Sequence, residues 1–147
     1  MSDAIKDPYQ LSRFLLAQAD VYSHALRELV SGHKQTHWMW IIFPQLDGLG
    51  SSSSASQYAI KFLEEASAYI EHPILGHRII ECTKTVLAIH NTSLSEIFGS
   101  PDDLKFRSCM TLFEHVAQDP SPFARALDQL CDGRRDIRSL ELMEKFG

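Results

Sequence analysis

The chain has 147 residues, 44% of them hydrophobic and 22% charged, and its 14 Lys and Arg against 19 Asp and Glu give a formal net charge of −5. This length suits one domain that buries about 70% of its unfolded surface, and mild acidity without a basic run excludes the footprint of a duplex nucleic-acid binder. The longest apolar run, residues 38–43, falls far short of the roughly 20 residues that span a bilayer, so no membrane partner is expected.

Proline placement marks the elements. Asp7-Pro8, His72-Pro73, Ser100-Pro101 and Ser121-Pro122 each precede an apolar pattern of helical period. Proline is favoured at the first helical position, where its missing N–H would have no partner anyway. Asp7 with Gln10 and Ser93 with Glu96 fit the capping box, two side chains satisfying orphan backbone donors reciprocally. The first helix is expected over residues 8–30, with Leu11, Phe14, Leu15, Tyr22, Leu26 and Val30 on one face. Ser31-Gly32 ends it, glycine supplying a left-handed C-cap. Residues 38–43, aromatic and β-branched, read as a possible strand, but one strand makes no sheet. Helices follow over 63–70, 73–88, 94–98, 101–117, 122–131 and 137–145. The one from Pro101 is apolar around most of its circumference, so it is expected to be central. The pattern predicts an all-α or nearly all-α single domain of about seven helices, without internal repeats.

Cys82, Cys109 and Cys131 are odd in number and lie in apolar helical contexts. With no basic-then-apolar leader in "MSDAIKDPYQ", they read as reduced core thiols of a cytoplasmic protein. His33 and His37 are four apart, but no third ligand is spaced to join them, so no metal is expected.

Two stretches concentrate chemistry. In "THWMWIIFPQLDGLGSSSSAS", residues 36–56, Trp38 and Trp40 are either core or the wall of a ligand pocket. Tryptophan wants a partner for its indole N–H, and Lys34, His37 and Gln45 supply the few convergent polar groups of such a pocket. Pro44 halts any helix through the tryptophans. Gly48 and Gly50 tolerate positive φ, and with Ser52 they suit a loop whose N–H groups cradle an anion. No Walker sequence and no GxGxxG after a strand is present, so no cofactor is expected.

The second stretch is "GSPDDLKFRSCMTLF", residues 99–113. Asp102 and Asp103 either complement a helix N-terminus, with Asp103 paired to Arg107, or they bring charge to a cleft together with Lys105, Arg107 and Ser108. Tyr58 completes the candidate binding set. Arg134, Arg135 and Arg138, in the mixed-sign "DGRRDIRSLELMEK", read as a solvated face rather than a phosphate patch.

Lys34 with "HWMWIIFPQLDGLG", then "YAIKFLEEASAYIEHPILGHRIIECT" and "IFGSPDDLKFRSCMTLF", resemble a bacterial family of unknown function whose members are often labelled calpastatin. Gln57 stands where that family more often has a basic residue, and Phe62 where a serine usually caps the next helix. Calpastatin proper resembles a disordered inhibitor poor in aromatics, whereas this chain has two Trp, four Tyr and eight Phe and must fold. "HPILGHRIIECTKTVL" followed by "IFG" is similar to the NADAR group of NAD- and ADP-ribose-linked proteins. That similarity implies a mainly helical fold and a nucleotide-derived, N-glycosidic ligand. It implies Trp38 or Trp40 stacking on a base, residues 48–54 holding diphosphate, and Asp102 or Asp103 stabilising an oxocarbenium-like centre in hydrolysis. A different reading is a non-catalytic helical module whose tryptophans meet a protein partner on a broad exposed apolar patch.

Overall fold

Asp20 divides the N-terminal helical stretch in two. The computed structural model describes residues 7–49 and 57–146. Within them α1 (Ser12–Ala19) ends where the Asp20 N–H turns back to the Gln18 carbonyl, and α2 (Tyr22–Val30) begins two residues later. The break replaces the continuous helix expected over residues 8–30. Asp7 does not form a capping box with Gln10, whose φ is +53°. Its carboxylate instead accepts the Leu11 and Ser12 N–H groups at 2.7 and 2.9 Å, which moves the helix start to Ser12. Gly32 at φ +84° stops α2 as its position predicts.

The segment considered as a strand is a single helical turn, α3 (Met39–Ile42). With no neighbouring strand, its backbone pairs locally: the Ile42 N–H donates to the Trp38 carbonyl at 3.1 Å and the Phe43 N–H to Met39 at 2.9 Å. Among the described residues extended pairing is limited to an isolated bridge between Leu46 and Ile60.

Six further helices lie within two residues of their expected limits: α4 (Leu63–Glu71), α5 (Leu75–Leu87), α6 (Leu94–Phe98), α7 (Asp102–Val116), α8 (Ser121–Leu130) and α9 (Ile137–Phe146). Only Pro122 occupies a first helical turn; Pro8, Pro73 and Pro101 stand just outside their helices. The Ser93–Glu96 capping box forms at α6, with bonds of 3.2 and 3.0 Å. Phe62 precedes α4 without a side-chain cap, and the Glu65 carboxylate takes the Lys61 N–H at 2.9 Å instead. Gly76 is fixed by close approach: a Cβ there would lie 2.0 Å from the Ile70 carbonyl oxygen.

The core is built on α7. Phe106, Cys109, Met110, Leu112 and Phe113 are fully buried under α4, α6, α8 and α9. Cys82, Cys109 and Cys131 are free and buried. Phe43 meets Phe98 and Phe106 edge-on at 5.9 and 5.1 Å, and Trp38 meets Phe98 at 6.5 Å. This aromatic cluster clamps α3 between α6 and α7. Gln18 locks the other side of α3, its amide donating to the Ile41 carbonyl at 2.9 Å and to the Tyr69 hydroxyl at 3.2 Å. Among the described residues no helix is long and apolar enough to cross a membrane.

Candidate ligand-binding groove

The two tryptophans go to opposite fates. Trp38 is 1% exposed, and its indole N–H donates to Glu28 Oε1 at 2.9 Å. The same carboxylate accepts the Gln35 and Thr36 N–H groups at 2.7 and 3.1 Å and the Thr36 hydroxyl at 2.7 Å. Burial alone would raise the Glu28 pKa, but these donors, Thr36 foremost, stabilise its anion and hold it at about 2. His24 Nε2 lies 2.8 Å from Glu28 Oε2 and closes the cluster. A buried carboxylate thus fixes the turn entering α3.

Lys34 carries the cluster onward. Its N–H donates to the Ile97 carbonyl at 2.7 Å, and its ammonium lies 5.2 Å over the Trp38 ring. The same ammonium pairs with Asp102 Oδ2 at 2.9 Å, from a side chain only 7% exposed. Asp102 also meets Lys105 at a longer 3.5 Å. Lys105 in turn covers the Trp40 ring at 4.8 Å. A chain of contacts therefore runs Glu28, Trp38, Lys34, Asp102, Lys105, Trp40, from buried to open.

At its open end lies a groove of about 960 Å³ between α3, the start of α7 and the start of α9. Its apolar walls are Trp40, Leu49, Leu104 and Ile137, and its polar lining includes Gln45 and Ser108. Five cations face it (Lys105, Arg107, Arg134, Arg135 and Arg138) against one acid, Asp136. Arg135 is already held by Glu114 and Asp128 at 2.5 and 2.8 Å. Asp136 is committed to the Ser139 N–H and hydroxyl at 2.8 and 2.7 Å, which fixes the entry to α9. Arg138 donates to the Gly48 carbonyl at 3.2 Å and has no carboxylate within ion-pair distance among the described residues. Arg107 Nε is buried without a hydrogen-bond partner among the described residues. A second groove of about 830 Å³, along α2 and α5, contains no residue of the predicted set, and its Lys84 is offset by Glu81.

The structure brings together Trp40, Gln45, Lys105, Arg107 and Ser108, so the tryptophan stretch and the α7 start face one groove. Tyr58 lies beneath, sharing a small recess with Trp40, Gln45 and Lys105. Gly48 has φ +98° and is not among the lining residues, but its carbonyl accepts from the lining Arg138. Trp38 and Lys34 are buried behind it, and His37 is exposed away from it. Gly50, Ser52 and most of the glycine-serine loop lie outside the described residues.

Asp102 and Asp103 are not among the groove's lining residues. Asp103 does not pair with Arg107: its carboxylate accepts the Leu104 N–H at 2.9 Å, while Arg107 turns to the groove. Among the described residues no three His, Cys, Asp or Glu side chains are grouped to hold a metal. Arg134 and Arg138 are exposed, as a solvated face requires, and Arg135 is partly buried; all three also line the groove, because the turn after α8 folds back against α7. Nothing local in "DGRRDIR" discloses that return. Glu28 was equally hidden on a polar helix face, although an indole needing an acceptor ten residues downstream was a usable signal.

The fold and groove define an all-helical protein built round one core, with a cation-lined cleft at the α3–α7–α9 junction. By sequence the chain belongs to a family described as protein of unknown function (DUF1810), matched over residues 8–143. It is similar to a conserved hypothetical protein of Mycobacterium tuberculosis, Rv1873, known from a crystal structure. The two share 47% identity and a TM-score of 0.93, over 94% of this chain and 99% of that one. No curated protein matches the chain.

Proposed function

We propose that the groove binds a phosphate-bearing, nucleotide-derived small molecule, with ADP-ribose or a related N-glycosidic compound the class that the NADAR resemblance implies. The observation that carries this reading is a charge inversion: a chain of net charge −5 gathers five cations against one acid around a single groove. Fields focused by a low-dielectric cleft favour an anion there. Arg107, Arg134 and Arg138 have no carboxylate partner within ion-pair distance among the described residues, and guanidinium forks match phosphate oxygens. Trp40 and Leu104 offer apolar surface for a base or sugar.

Binding is favoured over glycosidic hydrolysis. Such hydrolysis needs a carboxylate at the sugar, and Asp102 is held between two lysines while Asp136 caps α9. Thermal shift with NAD, ADP-ribose, AMP and pyrophosphate tests the proposal. A melting increase with at least one of them, lost in an Arg107→Met/Arg134→Ala double variant that still folds, is expected. No shift at millimolar concentration with any of the four would refute it.

A further inference from the structure

We infer that Lys105 is the ligand-responsive cation of the groove: an incoming phosphate takes it from Asp102, and its departure uncovers the Trp40 ring. This rests on the groove reading above and deepens it. Two contacts hold Lys105 in place, and both are weak. Its ammonium is 3.5 Å from Asp102 Oδ1, with the lysine side chain 23% exposed, and it lies 4.8 Å over an indole that is itself at the groove wall. At 3.5 Å the pair is too long for a close charge-assisted hydrogen bond. Asp102 does not depend on it, because Lys34, its side chain 7% exposed, stays on the other carboxylate oxygen at 2.9 Å. Exchange therefore leaves no bare charge behind.

The exchange also selects the ligand. One face of Trp40 is occupied by the Lys105 ammonium. An anion that draws Lys105 off exposes that face, and a flat ring attached to the anion then stacks on it. Inorganic phosphate recruits the lysine but leaves the ring bare, and an uncharged nucleoside meets a ring that is still covered. The ligand favoured is one that joins a phosphate to an aromatic base, with Lys105 coupling the two ends.

Calorimetry and tryptophan emission with adenosine, AMP and pyrophosphate test this on the wild type, Lys105→Met and Trp40→Phe. Trp38 is 1% exposed, so a change in emission on titration reads Trp40. AMP is expected to change the wild-type emission, and Trp40→Phe to abolish that change. Lys105→Met is expected to lower the AMP-to-adenosine affinity ratio about tenfold, with adenosine binding unchanged or tighter. If Lys105→Met weakens AMP and adenosine equally, or if AMP binds without altering Trp40 emission, the exchange is wrong while the groove reading survives. Absence of binding by all three probes to the wild type overturns both.

Discussion

Trp38 and Trp40 stand two residues apart, and each has a lysine over its ring, yet the two lysines serve opposite ends. At Trp38 every polar group is spoken for: indole on Glu28, lysine on Asp102, and Glu28 saturated by backbone and hydroxyl donors. At Trp40 the lysine is loosely held, and the neighbouring Arg107 has a buried nitrogen without a partner among the described residues. Buried polar groups are normally satisfied because an orphan costs about 1–3 kcal/mol. A saturated cluster is therefore a brace, and an unsaturated one beside a groove has capacity left for a ligand.

The comparison breaks most visibly at the brace. Trp38→Ala removes a fully buried ring from the α3–α6–α7 cluster and is expected to lower stability by about 3–5 kcal/mol, read by urea unfolding. A loss below about 1 kcal/mol would mean that Trp38 is not the keystone of this cluster.

Acid separates the two regions next. Glu28 has its pKa depressed from 4.5 to about 2. Its contribution is therefore complete above about pH 4.5 and disappears as pH falls toward 2, on the order of 3 kcal/mol in all. Asp7, Glu96 and Asp119 also have lowered pKa values, through backbone and side-chain hydrogen bonds, so the difference between wild type and Glu28→Gln isolates the brace. Melting temperatures between pH 2 and 7 should show the two proteins well separated at neutral pH and converging toward pH 2. Parallel curves would remove the carboxylate from this role.

Those two expectations concern residues of unequal visibility in the sequence. The α6 helix and its Ser93–Glu96 box were legible because they are local: a cap and its partner lie three residues apart. So was the central place of α7, since apolar residues on all sides leave a helix nowhere else to go. The break at Asp20 was not legible, because it serves separate packing of α1 on α3 and of α2 on α5. Of the groove, the half contributed by α3 and α7 was named from aromatic and charged residue types. Arg134 and Arg138 are solvated as their mixed-sign stretch suggests, but their place beside Trp40, with Arg135, was not legible, since it depends on a tertiary return to α7 that Arg135 and Glu114 close across 21 residues.

On the open side the effects fall on binding and not on folding. Arg107→Met keeps the length of the side chain and removes the charge. It is expected to weaken a phosphate-bearing ligand about tenfold, the worth of one charged hydrogen bond, while stability stays level or rises slightly because a buried nitrogen with no partner among the described residues is gone. Calorimetry beside a melting curve checks both halves. A destabilised variant would place Arg107 in the brace instead.

The smallest effect is expected at Trp40 itself. Its ring is half-buried at the groove wall, and the core beneath it is filled by Met39, Ile42 and Phe43, each no more than 2% exposed. Trp40→Leu preserves apolar cover and loses only the outer part of the ring and the contact with Lys105, so a change in stability within about 1 kcal/mol is expected. The same substitution at position 38 removes one of the donors to the buried Glu28 carboxylate and opens a cavity, and should cost several times more. Unfolding both variants side by side makes the ratio the measured quantity. Equal losses would mean that both tryptophans are core, and the groove would lose its aromatic wall as a separate functional feature.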